Sequence, residues 1–187
     1  KAQDSFTDPE SRIMKRAGGG FDYSYNAQTA VDETAHIIVV AEVVNASTDV
    51  HQLLPVLDAV KTNTGATPEQ ALADAGYRSE EEMAKLASKH PHTELVIALG
   101  REGREQAKPI DADRYPHTLA MQAKFQTDKG KADYRKRKWI AEPPNGWIKN
   151  VLGFRQFSMR GLGKAKAEFK LVCMALNLRR MGAMQVI

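Results

Sequence analysis

Residues 71–80, Ala-Leu-Ala-Asp-Ala-Gly-Tyr-Arg-Ser-Glu, set one carboxylate, Asp74, between a short apolar run and a glycine. Gln70 to Ala73 reads as a short buried strand, and Ala75-Gly76 permit a sharp exit from it. Ser79 followed three residues later by Glu82 is the pattern that satisfies the first amides of a helix locally, which predicts a helix over Ser79–Ser88. Asp74 stands five residues ahead of that serine, too early to cap the same helix. Its carboxylate is therefore expected at the C-terminal edge of the strand, where open α/β sheets commonly bind ligands.

Upstream, Tyr23, Tyr25, Ala27, Thr29 and Val31 alternate with other residues at the period of a strand. After the polar Asp32-Glu33-Thr34, His36 to Val44 is rich in β-branched residues, so the two segments predict an antiparallel hairpin. Asp49 with Gln52 fits a capping box for a helix whose stripe is Leu53, Leu54, Leu57 and Val60, which Pro55 is expected to bend and Gly65 to close. Thr93–Ala98 reads as a further strand, and residues 100–115 as an irregular polar insertion. His117–Ala141 should be largely helical, and Gly161–Met181 is a long helix whose expected core face is Phe169, Leu171, Val172, Met174, Ala175 and Leu178. Residues 1–20, ending in Gly18-Gly19-Gly20, read as a polar lead-in to one domain over 21–187.

The 42% hydrophobic and 27% charged content of the 187 residues is that of an ordinary globular protein. No stretch reaches the length of a membrane span, so no membrane is expected as a partner. The first residues are no signal peptide and lack an initiator Met, so a piece of a longer protein is expected. The single cysteine, Cys173, excludes an internal disulfide, reads as a small buried hydrophobe and suits a reducing cytoplasm. His90-Pro91-His92 is the only close histidine spacing, and it reads as a loop. No Ser-His-Asp set is apparent, and the glycine triplet has no strand before it and no Gly-Lys-Ser/Thr after it, as a phosphate loop would need.

Charge is divided unevenly. Residues 1–100 hold 8 Lys/Arg against 15 Asp/Glu, whereas residues 101–187 hold 19 against 8. A basic half on an acidic chain points to a polyanion, because cations that meet phosphates release condensed counterions. Within that half, Glu142 is the one acidic residue between Asp133 and Glu168, with Lys131, Arg135, Lys136, Arg137 and Lys138 before it and Lys149 after. It could be an ion-paired residue, with Lys138 for example, or a metal ligand that faces phosphates. Trp139 and Trp147 flank it, with core packing their expected role and stacking on DNA bases the alternative.

The succession Asp8-Pro9-Glu10-Ser11-Arg12, Tyr25-Asn26-Ala27-Gln28-Thr29-Ala30-Val31-Asp32, Ala73-Asp74-Ala75-Gly76-Tyr77 and Glu142-Pro143 with Lys149 resembles the C-terminal part of DDE transposases of bacterial insertion sequences. The resemblance implies an α/β, ribonuclease H-like mixed sheet flanked by helices, here lacking its first strand, which would carry the first catalytic aspartate upstream of Lys1. It implies metal-dependent DNA strand cleavage and strand transfer, with Asp74 and Glu142 as catalytic residues holding Mg2+ or Mn2+ in a two-metal site. Tyr134, Arg137, Glu142 and Lys149 are similar to that family's Tyr-Arg-Glu-Lys signature, with Lys138 the alternative for the arginine position, and Tyr134, Arg137, Lys138 and Lys149 would lie near DNA phosphates. Double-stranded DNA, as element ends and target, is the implied partner, and a homodimer on paired ends the implied assembly. Asp32 and Asp8 are weaker substitutes for the first aspartate, because both sit in turn contexts. Pro143-Pro144 predicts a helix break after Glu142, which would misalign Lys149 and suit a degenerate or non-catalytic DNA-binding copy.

Overall fold

The computed structural model of the chain describes residues 4–16, 18–100 and 109–185, so the middle of the 100–115 insertion lies outside them. The chain is mixed α/β and divides into two compact units, Lys1–Ser47 with Ile140–Ile187, and Thr48–Trp139.

In the first unit the expected hairpin is present from Asn26 onward, while the first part of its expected leading strand, Phe21–Ser24, pairs with another strand instead. β3 (Asn26–Val31) pairs antiparallel with β4 (Ile38–Val44). Its turn is built by Asp32, whose Oδ2 accepts the Ala35 N–H at 2.7 Å and whose Oδ1 accepts that of Ile37 at 2.6 Å. Both carboxylate oxygens of Asp32 are thus engaged in holding the turn. Part of the expected lead-in is ordered as well. β1 (Arg12–Lys15) pairs antiparallel with β2 (Phe21–Ser24), and the glycine triplet forms the turn that joins them.

The long helix α5 (Leu162–Ala183) packs on β4. Its buried positions are Ala165, Phe169, Cys173 and Leu176, which meet Ile38, Val43 and Ile148. Of the expected core face, Phe169 is buried and Val172 packs at the margin, but Leu171, Met174 and Leu178 are exposed at 59%, 52% and 49%. The expected face is corrected to 165/169/173/176, which repeats every three to four residues as one helical stripe. Burial pushes the Cys173 thiol up to about 12, which leaves it protonated and inert. Asn177 completes the contact. Its Oδ1 accepts the Ile38 N–H and its Nδ2 donates to the Ile38 carbonyl, both at 2.9 Å, so the amide stands in for a neighbouring strand.

In the second unit, α1 (Leu53–Thr64) and α2 (Glu80–Lys89) accompany a parallel pair, β5 (Gln70–Ala73) and β6 (Glu94–Ile97). Pro55 sits in the first turn of α1, where no intrahelical N–H is required, and the helix runs through it without interruption. Leu53, Leu57, Ala73, Met83, Leu86, Ile97, Leu99 and Met121 form one core. α3 (Pro116–Gln126) covers the outer edge of β6, where the Ile97 N–H points at Met121 Sδ (3.3 Å) and Lys124 Nζ donates to the Leu95 carbonyl (2.9 Å). The expected helix over 117–141 is two helices. Thr127 interrupts it, its hydroxyl taking the Gly130 N–H at 3.0 Å and so capping α4 (Asp128–Gly146).

Several carboxylates stabilise this unit only when ionised. Burial pushes the Glu80 carboxyl up, but bonds from the Thr118 hydroxyl and the His117 and Thr118 amides outweigh it and hold it below the ordinary range. Glu82 behaves likewise, with burial opposed by Lys85 and His51. Lowered folded-state values mean stabilisation that is complete above the ordinary carboxylate range and lost as pH falls through the lowered values.

Two outcomes follow. In urea unfolding, Phe169→Ala should cost about 3–5 kcal/mol, while Leu171→Ala two positions on should stay within about 0.5 kcal/mol. The urea midpoint should hold from pH 7 to about 5 and fall below about 4.3, and a Glu80→Gln, Glu82→Gln double variant should start lower and fall less steeply.

Candidate active site

The parallel ladder positions Asp74. Ala73 pairs with Ile97, and the Ala98 N–H reaches the Ala73 carbonyl at 3.1 Å as its final hydrogen bond. One residue further the chain leaves the sheet, turning through Ala75–Tyr77 as a single 3₁₀ turn. Asp74 Oδ1 accepts the Gly76 N–H at 2.8 Å, so Asp74 does serve as a cap, though of this turn rather than of α2. Ser79 caps α2 as expected, accepting the Glu82 N–H. The second oxygen of Asp74, Oδ2, has no partner among the described residues.

A second carboxylate, Asp49, stands beside it. Gln52, not Asp49, occupies the N-cap position of α1, and its side chain makes no capping bond. Asp49 instead faces the 3₁₀ turn. A Cβ at Gly76 would lie 3.0 Å from both Asp49 Oδ2 and Asp74 Oδ1, so a side chain there would crowd the two carboxylates. Burial, and then the charges of Asp49 and Asp74, push the phenol of Tyr77 above its ordinary range.

α4 carries Tyr134, Arg137, Lys138 and Glu142. Its first half is anchored in the second unit by the buried Asp133, which accepts from Gln70 Nε2 at 3.1 Å and pairs with Lys129 at 2.7 Å. Lys129 also reaches Glu94 at 3.1 Å and holds both carboxyls below their ordinary range. Tyr134 meets Phe125 edge to face with ring centroids 5.3 Å apart, and the Arg137 guanidinium lies 5.5 Å from the Tyr134 ring centre. Tyr134 and Arg137 are half-buried in this stack, whereas Lys138 and Glu142 are exposed.

The expected break after Glu142 does not occur. α4 continues through Pro143 and Pro144 to Gly146, and a π turn, Trp147–Val151, follows directly and carries the exposed Lys149. The backbone stays helical through both prolines, which leaves Glu142 and Lys149 on one helical run. Both belong to the first unit, and Asp74 to the second. Among the described residues, no group of three or more His, Cys, Asp or Glu side chains gathers closely enough to hold a metal ion. Asp74 and Glu142 are hard oxygen donors of the kind Mg2+ takes, but the described residues do not assemble a complete site.

The other acidic candidate, Asp8, is committed to structure. Its Oδ1 accepts the Tyr25 hydroxyl at 2.7 Å and the Gly161 N–H at 3.3 Å, while Glu10 Oε2 accepts the Leu162 N–H at 3.0 Å. Two carboxylates thus sit at the N-terminus of α5, where unpaired amides and the helix dipole favour negative charge. Gly161 has φ of 92°, and a Cβ there would come within 3.3 Å of Glu10 Oε2.

Residues 4–178 match the family model described as the transposase DDE domain, and the chain belongs to that family. No curated protein and no solved structure matches it.

The two functions of Asp74, cap and free carboxylate oxygen, are separable. Asp74→Asn keeps an oxygen for the Gly76 N–H and should hold stability within about 0.5 kcal/mol, while Asp74→Ala should lose about 1 kcal/mol in urea unfolding.

Proposed function

We propose that this transposase DDE domain performs metal-dependent DNA strand cleavage and strand transfer for a bacterial insertion sequence, on a ribonuclease H-like fold whose first strand precedes the β3–β4 hairpin. The observation that carries the reading is Asp74, held by the Gly76 amide one residue past the last hydrogen bond of a parallel ladder with Oδ2 unpartnered among the described residues. The family match and the basic C-terminal half support it.

Asp74 and Glu142 are two of the three carboxylates such chemistry uses, and the third belongs to the first strand. Bound Mg2+ or Mn2+ would supply Lewis-acid stabilisation of the attacking and leaving oxygens at the phosphate. The chain's own part is positioning. Gly76 fixes the orientation of Asp74, and the continuous helical run sets Lys149 about two turns beyond Glu142, within reach of the same phosphodiester backbone. Lys138 would reach a neighbouring phosphate, and Arg137, stacked on Tyr134, presents its guanidinium from a fixed platform. Water first attacks the phosphodiester at the element end and frees a 3′-hydroxyl. That hydroxyl then attacks the target strand, with a second copy of the chain holding the other end. Such chemistry takes place on DNA in the cytoplasm.

One observation favours a narrower reading. The absence of a three-ligand cluster among the described residues suits a DNA-binding domain without activity of its own. In the full-length transposase, Asp74→Asn and Glu142→Gln should each lower Mg2+-dependent cleavage of the element's own ends at least about a thousandfold while DNA affinity stays within about threefold. Intact cleavage by either variant would remove that residue from the chemistry. Wild-type protein that binds the ends but never nicks them would establish the narrower reading.

A further inference from the structure

Single exposed apolar side chains are ordinary on a protein surface, but a continuous line of them is not. Trp139 on α4 is a single case, 73% exposed against the expected core packing, whereas Trp147 packs beside the core of the first unit. The outer face of α5 is continuous. Ala167, Leu171, Met174, Ala175, Leu178 and Gly182 are all exposed, at the spacing that lines them along one side of the helix. This side lies opposite the stripe that meets β4. Leu171, Met174 and Leu178 are its large members, left in water at positions where a helix tolerates lysine equally well.

The order along this stripe identifies its occupant. Read from either end it runs small residue, leucine, the Met174-Ala175 pair, leucine, small residue. An antiparallel copy of the helix, centred between Met174 and Ala175, sets Leu171 against Leu178, Met174 against Ala175 and Ala167 against Gly182, each contact made twice. Large meets small at the centre and small meets small at the ends, so the two axes can approach closely. Charge agrees with this pairing. No charged side chain lies on the stripe from Leu171 to Gly182, and Lys170 and Arg179 stand at its two edges, held by Glu42 at 2.6 Å and over the Trp147 ring at 4.5 Å. In the antiparallel pair those two cations fall on opposite edges. Glu168 of one copy shares an edge with Arg179 of the other, about 3 Å apart along the axis. Opposed helix dipoles favour the same sense.

We infer that two copies of this chain associate through α5 as an antiparallel helix pair. The helix has 22 residues and is about 33 Å long and about 10 Å across, so two such faces cover on the order of 700 Å² in total. That is less than a permanent dimer needs and falls in the range of reversible association. The pairing needs no DNA and so stands apart from the proposed chemistry, although it supplies the second copy which that chemistry calls for.

Sedimentation equilibrium of the chain without DNA tests the pairing. The average mass should rise from 20.7 kDa toward twice that value between about 1 and 200 µM, with a dissociation constant on the order of 10 µM. Leu171→Glu and Leu178→Lys should each keep the urea midpoint and weaken association at least about tenfold, since either sets a lone charge against a leucine. Mixed in equal amounts, the two variants should form a one-to-one dimer, because only the antiparallel pair brings the two substituted positions together. A parent chain monomeric throughout that range, or single variants that associate like the parent, would overturn the inference. Variants that stay monomeric when mixed would overturn the antiparallel pairing. A dimer formed by a chain whose full-length protein cuts no DNA would support the inference and count only against the proposed function.

Discussion

The hydrogen bond from the Ala98 N–H to the Ala73 carbonyl is the point on which the candidate site turns. It is the last bond of a parallel pair, and parallel strands require a crossover, which α2 supplies. The core beneath β5 and β6 is built from Leu53, Leu57, Met83, Leu86 and Met121, contributed by α1, α2 and α3. Met121 and Lys124 close the outer edge of β6, so its amides and carbonyls are not left as a template for another strand. The ladder ends there because residue 74 is an aspartate whose own side chain takes the Gly76 amide. A carboxylate able to cap a tight turn with one oxygen leaves the other available at the sheet's C-terminal edge. Structure and candidate chemistry are thus satisfied by the same side chain.

The first unit applies carboxylates to a different end. Asp8 and Glu10 meet the amides at the start of α5, Asp32 closes the β3–β4 turn, and Asn177 pairs with both polar groups of Ile38. Each of these replaces a bond that a regular element would otherwise have made. Asp8 and Asp32 are therefore accounted for by folding, which separates them from Asp74 on physical grounds. Both oxygens of Asp32 hold the turn, whereas Asp8 and Asp74 each engage Oδ1 alone; what sets Asp74 apart from Asp8 is its place at the C-terminal edge of a parallel ladder.

Much of this was legible in the chain. Strand 70–73, the hairpin, the Ser79 cap and the long C-terminal helix all depend on contacts within a few residues, and local pattern reports such contacts. The misjudged features have long-range causes. Asp49 makes a plausible capping box with Gln52, but Gln52 itself takes the N-cap position and the Asp49 carboxylate faces the neighbouring 3₁₀ turn. Pro143 and Pro144 are strong local breakers, yet α4 carries through them into a π turn whose Ile148 is buried against Phe169 and Cys173.

The amino-acid sequence by itself determined much of the order of elements, the charge asymmetry and the family, because these follow from neighbours along the chain and from ordered motifs. Only the tertiary structure decided which face of α5 is buried. Leu171 to Leu176 is apolar at every position, so periodicity offers no preferred side, and the choice fell to whichever stripe fitted β4. It likewise decided which tryptophan is covered and which carboxylate oxygen is spoken for, since both depend on groups brought close by folding from distant parts of the chain.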